Sequence, residues 1–188
     1  KFFGVPDGCY VIGEGAENGL EEYGQDRSAP TADFLLTRIE SGGNANYPRY
    51  QASEARLEQS DILRMSKLTH ALLDNIDYIG IREKRQKNYD YAAAVFASFN
   101  RLPEELLMRT PEQVPMVYPL LIEKEELRHL LKDRHIYVGQ WWKYLLEDPQ
   151  VPAWEKALSR YLLPIQIDQR YGRREIDYPA QVIKAALK

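Results

Sequence analysis

The sequence is poor in the features that would place it outside ordinary globular folds. A single cysteine, Cys9, excludes any internal disulfide and fits a reducing, cytoplasmic compartment. No apolar run reaches the ~20 residues of a membrane-spanning helix, so no membrane partner is expected. The apolar stretch at Phe2-Phe3 stops at Gly4 and Pro6, too short for a signal-peptide core. Neither sign of charge dominates: 25 Lys and Arg stand against 28 Asp and Glu, a net charge of -3. That balance speaks against nucleic acid as a partner. The three histidines, His70, His129 and His135, have no metal-ligand spacing and lie far from Cys9, so no metal is expected. No nucleophile elbow is present. Gly13, Gly15 and Gly19 lack a following helix in phosphate-loop register. There is no internal repeat and no low-complexity tract.

What is there is a near-average globular composition, 44% hydrophobic and 28% charged over 188 residues. A chain of that length is one domain, or one with a large appendage, and buries roughly 70% of its unfolded surface. Pro6-Asp7-Gly8, flanked by apolar residues, reads as the turn of a short hairpin. Residues 13–30 read as a long loop. Thr31 can cap a helix to about Ser41, which Gly42-Gly43 stops. A second helix is expected over about 48–59. Ser66 can cap a third, with Leu68, Leu72, Leu73 and Ile76 inward. A fourth is expected over about 78–99, with the stripe Ile81, Arg85, Tyr89, Ala92, Phe96 and Phe99. The last third alternates. Strands are expected at 114–122, bent by Pro115 and Pro119, at 136–138 and at 163–167. Helices are expected at 123–134, 154–162 and 177–187, the last with Pro179 in its first turn. The fold class is therefore α+β, helices followed by a small sheet covered by helices, divided near residue 100.

Few residues stand out chemically. The run Arg82 to Lys87 is a solvated helix face or a phosphate-binding one. Tyr137, Trp141, Trp142 and Tyr144 form an aromatic cluster, either core packing or the wall of a substrate pocket. Arg170 follows a strand directly. It is either a solvated turn residue or a bidentate clamp for a carboxylate or phosphate. Lys1 is by default frayed and solvated. Held rigidly before the Asp-Gly turn, it would instead be an amine nucleophile toward a carbonyl.

The segment K-F-F-G-V-P-D-G-C-Y-V at 1–11 resembles the lysine segment of the DegT/DnrJ/StrS sugar aminotransferases, fold-type-I pyridoxal-phosphate enzymes. Lys1, Asp7 and Gly8 match its spacing, and Cys9 stands where a second glycine is usual. L-R-M-S-K-L-T-H-A-L-L at 63–73 is similar to the family's N-y-R-m-s helix start through Arg64 and Ser66. Ile62 replaces the usual asparagine. I-R-E-K-R-Q-K-N-Y at 81–89 resembles the R-R-x-N-Y helix. V-P-M-V-Y-P-L-L-I, L-R-H-L-L-K-D-R-H-I-Y-V and L-S-R-Y-L-L-P-I-Q-I-D-Q-R-Y are similar to the family's C-terminal domain.

The resemblance implies the C-terminal portion of an α/β fold-type-I transferase. Residues 1–100 would end the cofactor-binding domain and its connecting helices, and 101–188 would form a small α+β domain. Such enzymes are roughly twice this length, so the chain is expected to be a fragment that is inactive alone. Pyridoxal 5′-phosphate is the implied cofactor. Lys1 would be its Schiff-base lysine and proton shuttle, and Arg64 would bind cofactor across a homodimer interface. The substrates would be an amino-acid donor and a nucleotide-linked keto-sugar, with Tyr137, Trp141, Trp142 and Arg170 as pocket candidates. Gln140, Trp141 and Trp142 stand where many members place a histidine near the substrate. Two other readings remain: a non-catalytic relative kept as a binding or assembly module, and a sugar dehydratase of the same fold. The dehydratases carry histidine in place of the lysine.

Overall fold

The computed structural model describes residues 2–16 and 18–187. The chain forms two compact units, one ending at Ile76 and one beginning at Asp77. Its architecture is mixed: helices and one small antiparallel sheet. No helix among the described residues is long and apolar enough to cross a membrane.

In the first unit, helix α1 spans Asp33–Glu58 and is broken at Gly42, with φ 79° and ψ 173°. Only glycine adopts that conformation without strain, so the expected stop between two helical runs is a sharp break inside one helix. Beyond the break the halves meet. The Phe34 and Tyr50 rings lie 6.4 Å apart, and Asp33 pairs with Arg49. Helix α2, Lys67–Asp74, begins at Ser66, whose hydroxyl accepts from the Thr69 amide. Its inner face is not the expected leucine stripe. Thr69 and Leu73 are buried, while Leu68 and Leu72 are exposed. The cause is polar: the segment packed on α2 presents a carboxylate. That segment is the expected hairpin around Pro6-Asp7-Gly8, which forms no strand among the described residues.

The second unit holds the apolar core. Helix α3, Tyr78–Phe96, is capped by Asp77, which accepts from the Gly80 amide. Strand β1, Val117–Leu121, pairs antiparallel with β2, Leu162–Gln166, placing Pro119 opposite Pro164. Between them lie α4, Leu127–Asp133, and α5, Ala153–Tyr161; α6, Arg173–Ala186, follows. Tyr89, Ala92 and Phe96 of α3 enter one cluster with Tyr118, Leu120, Leu131, Leu163, Ile165, Ile176 and Ile183. The Phe96 ring stacks on Tyr118 at 5.6 Å. Each fully buried side chain of this size adds roughly 1.5–3 kcal/mol. Because α3 supplies that core, the units divide after Ile76 rather than near 100.

Three expectations fail here for physical reasons. Ile136 to Val138 form no strand; His135 closes α4 in a left-handed turn at φ 59°. The Val138 and Gly139 carbonyls then accept from the Arg128 guanidinium rather than from a ladder. The acids at 123–126 precede α4 instead of occupying its first turn. Helix α6 starts at Arg173, where the Gly172 amide donates to Glu175 at 2.9 Å, so Pro179 lies in its interior.

Candidate functional site

Gly8, at φ 72°, lets the chain turn tightly, and a Cβ there would overlap Met65 Cβ. The turn thereby seats Asp7 against the start of α2. Asp7 is buried at 8% exposure. Its Oδ1 accepts from the Ser66 amide at 2.7 Å, and its Oδ2 accepts from the Ser66 and Thr69 hydroxyls at 2.8 Å each. The Ser28 and Ser66 hydroxyls lie 2.6 Å apart. Burial pushes the Asp7 carboxyl upward, but the hydrogen bonds from Ser66, Thr69 and Ser28 outweigh it and hold it below the usual carboxylate range.

Arg64 lies two residues before the Ser66 cap. Its backbone is clamped: the Arg64 amide donates to the Gly24 carbonyl at 2.8 Å, and its carbonyl accepts from the Asp26 amide at 2.9 Å. Its side chain is exposed and has no carboxylate partner among the described residues. Ile62 is 75% exposed. Lys1 lies outside the described residues. For a pyridoxal phosphate, this set fits one contact. An unpaired guanidinium on a fixed backbone suits a phosphate. Asp7 does not suit the pyridine nitrogen, because three donors already occupy its oxygens.

In the second unit, Tyr137, Trp141 and Trp142 share one irregular segment. The Trp141 and Trp142 rings meet at 5.4 Å, and Trp142 holds a left-handed φ of 53°. Tyr137 and Trp142 are about half exposed, at 51% and 47%. The segment is fixed from beneath. The buried Ser159 hydroxyl lies 2.9 Å from the Trp141 carbonyl and 3.0 Å from that of Trp142. Arg128 donates to the Gly139 carbonyl at 2.6 Å and to Leu162 at 2.9 Å. Burial pushes the Arg128 guanidinium down. Nothing in the spacing of the sequence marked Arg128 or Ser159 for this work.

Arg170 belongs to a different cluster. Its Nε and Nη2 donate to the Asp168 carboxylate at 2.9 and 2.6 Å, and its guanidinium lies 5.7 Å from the Tyr171 ring centre. The fork expected to clamp a ligand is therefore occupied, and a ligand carboxylate would have to displace Asp168. Burial raises the Asp168 carboxyl, but the hydrogen bonds and charge of Arg170, with the charge of Arg85, leave it lowered. Beneath this turn, Asn88 donates to the carbonyls of Ile167, Asp168 and Tyr171 at 3.0–3.1 Å. Arg85, buried at 2% exposure, donates to Gln169 and to the Met116 carbonyl. Arg85 lies on the expected stripe of α3, and its burial takes it out of the solvated or phosphate-binding face expected of the run 82–87.

One groove of about 530 Å³ opens along α3, lined by Gln86, Tyr89, Asp90, Ala93, Leu107, Arg109 and Pro111. Its charges cancel, since Arg109 is forked onto Asp90 at 2.7 Å. Compared with protein-family models, with curated proteins and with solved structures, the chain gives no significant match.

Proposed function

We propose that the chain is the lysine-bearing C-terminal portion of a pyridoxal-phosphate-dependent aminotransferase of the DegT/DnrJ/StrS type. It would act as a homodimer on a nucleotide-linked keto-sugar with an amino-acid donor. One observation carries this reading. The Asp7-Gly8 turn, six and seven residues after Lys1, is hydrogen-bonded to Ser66, two residues after Arg64. Two segments of this chain that carry the resemblance are thus joined.

The roles follow from chemistry. Lys1 Nζ anchors the cofactor covalently and, once released, carries a proton to and from the reacting carbon. For that it must be neutral, whereas an ordinary lysine titrates near ~10.4. Desolvation or a neighbouring cation would supply that form. Arg64 binds phosphate. Tyr137, Trp141 and Trp142 supply an aromatic wall. The cofactor, when bound, supplies the electron sink.

The test is chemical trapping in the full-length protein. Incubation with pyridoxal 5′-phosphate, borohydride reduction and peptide mapping should place the pyridoxyl group on Lys1. Lys1→Ala should abolish both the label and transamination. Transamination persisting above ~1% of the parent rate would exclude the role, because losing a proton-transferring group costs at least ~10² in rate.

A further inference from the structure

We infer that Asp7 is a positioning residue: its buried carboxylate sets the register between the lysine-bearing arm and Arg64, an inference that rests on the function proposed above.

Among the described residues of the first unit, seven side chains are buried: Pro6, Asp7, Ser28, Asn46, Ser66, Thr69 and Leu73. Five are polar, and four of those five form the Asp7 network. Hydrogen bonds rather than apolar packing therefore set the geometry of this unit. Asp7 is their hub. One carboxylate takes donors from residues 59 and 62 positions later in the chain. It fixes the backbone of the arm on one side. On the other it fixes Ser66, and through Ser66 the clamped backbone of Arg64.

Among the described residues no cation pairs with this carboxylate: its partners are the Ser66 amide and the hydroxyls of Ser66, Thr69 and Ser28. It stays ionised because those donors outweigh its burial. A carboxylate so engaged cannot reach a cofactor. It acts through the groups it holds, as outer-shell residues orient the ligands of a reactive centre.

Three variants separate the contributions. Asp7→Ala removes the hub. Asp7→Asn keeps an acceptor for the Ser66 amide and turns an amino group toward hydroxyls that can rotate to accept. Thr69→Val keeps shape and removes one donor. The readout is the rate of borohydride-trapped labelling of Lys1 by pyridoxal 5′-phosphate in the full-length protein. Asp7→Ala should slow it by roughly 10²-fold, the scale of a displaced reactive group. Thr69→Val and Asp7→Asn should fall between Asp7→Ala and the parent. A double-mutant cycle supplies the decisive arm. Arg64→Ala should slow labelling in the parent by about tenfold and change it little in the Asp7→Ala background, because register is already lost.

Parent protein that labels no better on Lys1 than on surface lysines overturns the proposed function, and this inference with it. Parent labelling on Lys1, with Asp7→Ala equally fast or with the two losses multiplying, overturns the positioning role alone. If Asp7→Ala fails to fold, the cycle is run with Thr69→Val, which must then show the same coupling to Arg64→Ala.

Discussion

Replacing Asn88 by alanine removes the support of the turn that carries Arg170, and its cost follows from the geometry. The single amide nitrogen offers two hydrogens to three carbonyls, so two of the three are bonded at any moment. Ile167 and Asp168 are buried, at 0% and 5% exposure. Alanine leaves two carbonyls without a donor, each costing ~1–3 kcal/mol. With partial rescue by an admitted water, the loss should be about 2–4 kcal/mol. Urea unfolding followed by tryptophan fluorescence isolates the effect, because all three tryptophans, Trp141, Trp142 and Trp154, lie in the second unit. With a slope of about 1.5–2 kcal/mol per M, the midpoint should fall by about 1–2.5 M. Lys87→Ala, on an exposed position of the same helix, should move it by less than ~0.5 kcal/mol. A midpoint for Asn88→Ala within about 0.3 M of the parent would refute the reasoning, since the carbonyls would then be satisfied without the amide.

Gly8→Ala should unseat the Asp7 turn, since it forces a left-handed backbone costing ~1–2 kcal/mol and a clash with Met65. Hydrogen exchange at the Ser66 amide should accelerate, and unchanged protection there would contradict the packing described. Asp7 and Asp168 both titrate below their ordinary values when folded. The stability each contributes is therefore complete above the unfolded carboxylate value of ~3.9 and disappears as pH falls through the lower folded value. Urea midpoints of the second unit should accordingly hold from about pH 7 to about pH 5 and drop below about pH 4. Asp168→Asn should flatten that drop, and an unaltered acid limb would show that the Asp168–Arg170 pair does not drive it.

The parts of this structure legible in the sequence are those set within a turn or two of chain. The Ser66 cap, the break at Gly42 and the α3 stripe depend on capping, glycine freedom and the helical period, and all three stand in the structure. So do the two longer β-forming runs. Ile136 to Val138 misled because its composition suits a strand, while its carbonyls answer to Arg128. Leu68 and Leu72 misled because the inner face of α2 is chosen by a carboxylate some sixty positions away in the chain, and no local pattern announces that. At α6, Pro179 reads as a first-turn residue, whereas Gly172 and Glu175 set the true start. Of the site residues, the two tryptophans meet ring to ring, and Tyr137 shares their irregular segment. The side chains that position them come from α4 and α5 and were not visible beforehand.

The pairing of Pro119 with Pro164 bears on how the protein keeps to itself. The Pro119 carbonyl accepts from Asn100, so backbone groups at this pair point outward from the ladder. Each outer edge of the sheet therefore lacks an amide at its centre. Asn100 also accepts from the Leu121 amide, and the Leu121 carbonyl accepts from the Arg101 amide. The runs V-Y-P-L-L-I and L-L-P-I-Q-I would otherwise be strong templates for strand addition, with no charge to interrupt them. A third strand meeting either edge finds no central donor, and on the β1 side it finds the groups already taken. The two prolines thus act as gatekeepers against fibril growth, leaving the sheet free to be apolar through and through without becoming adhesive.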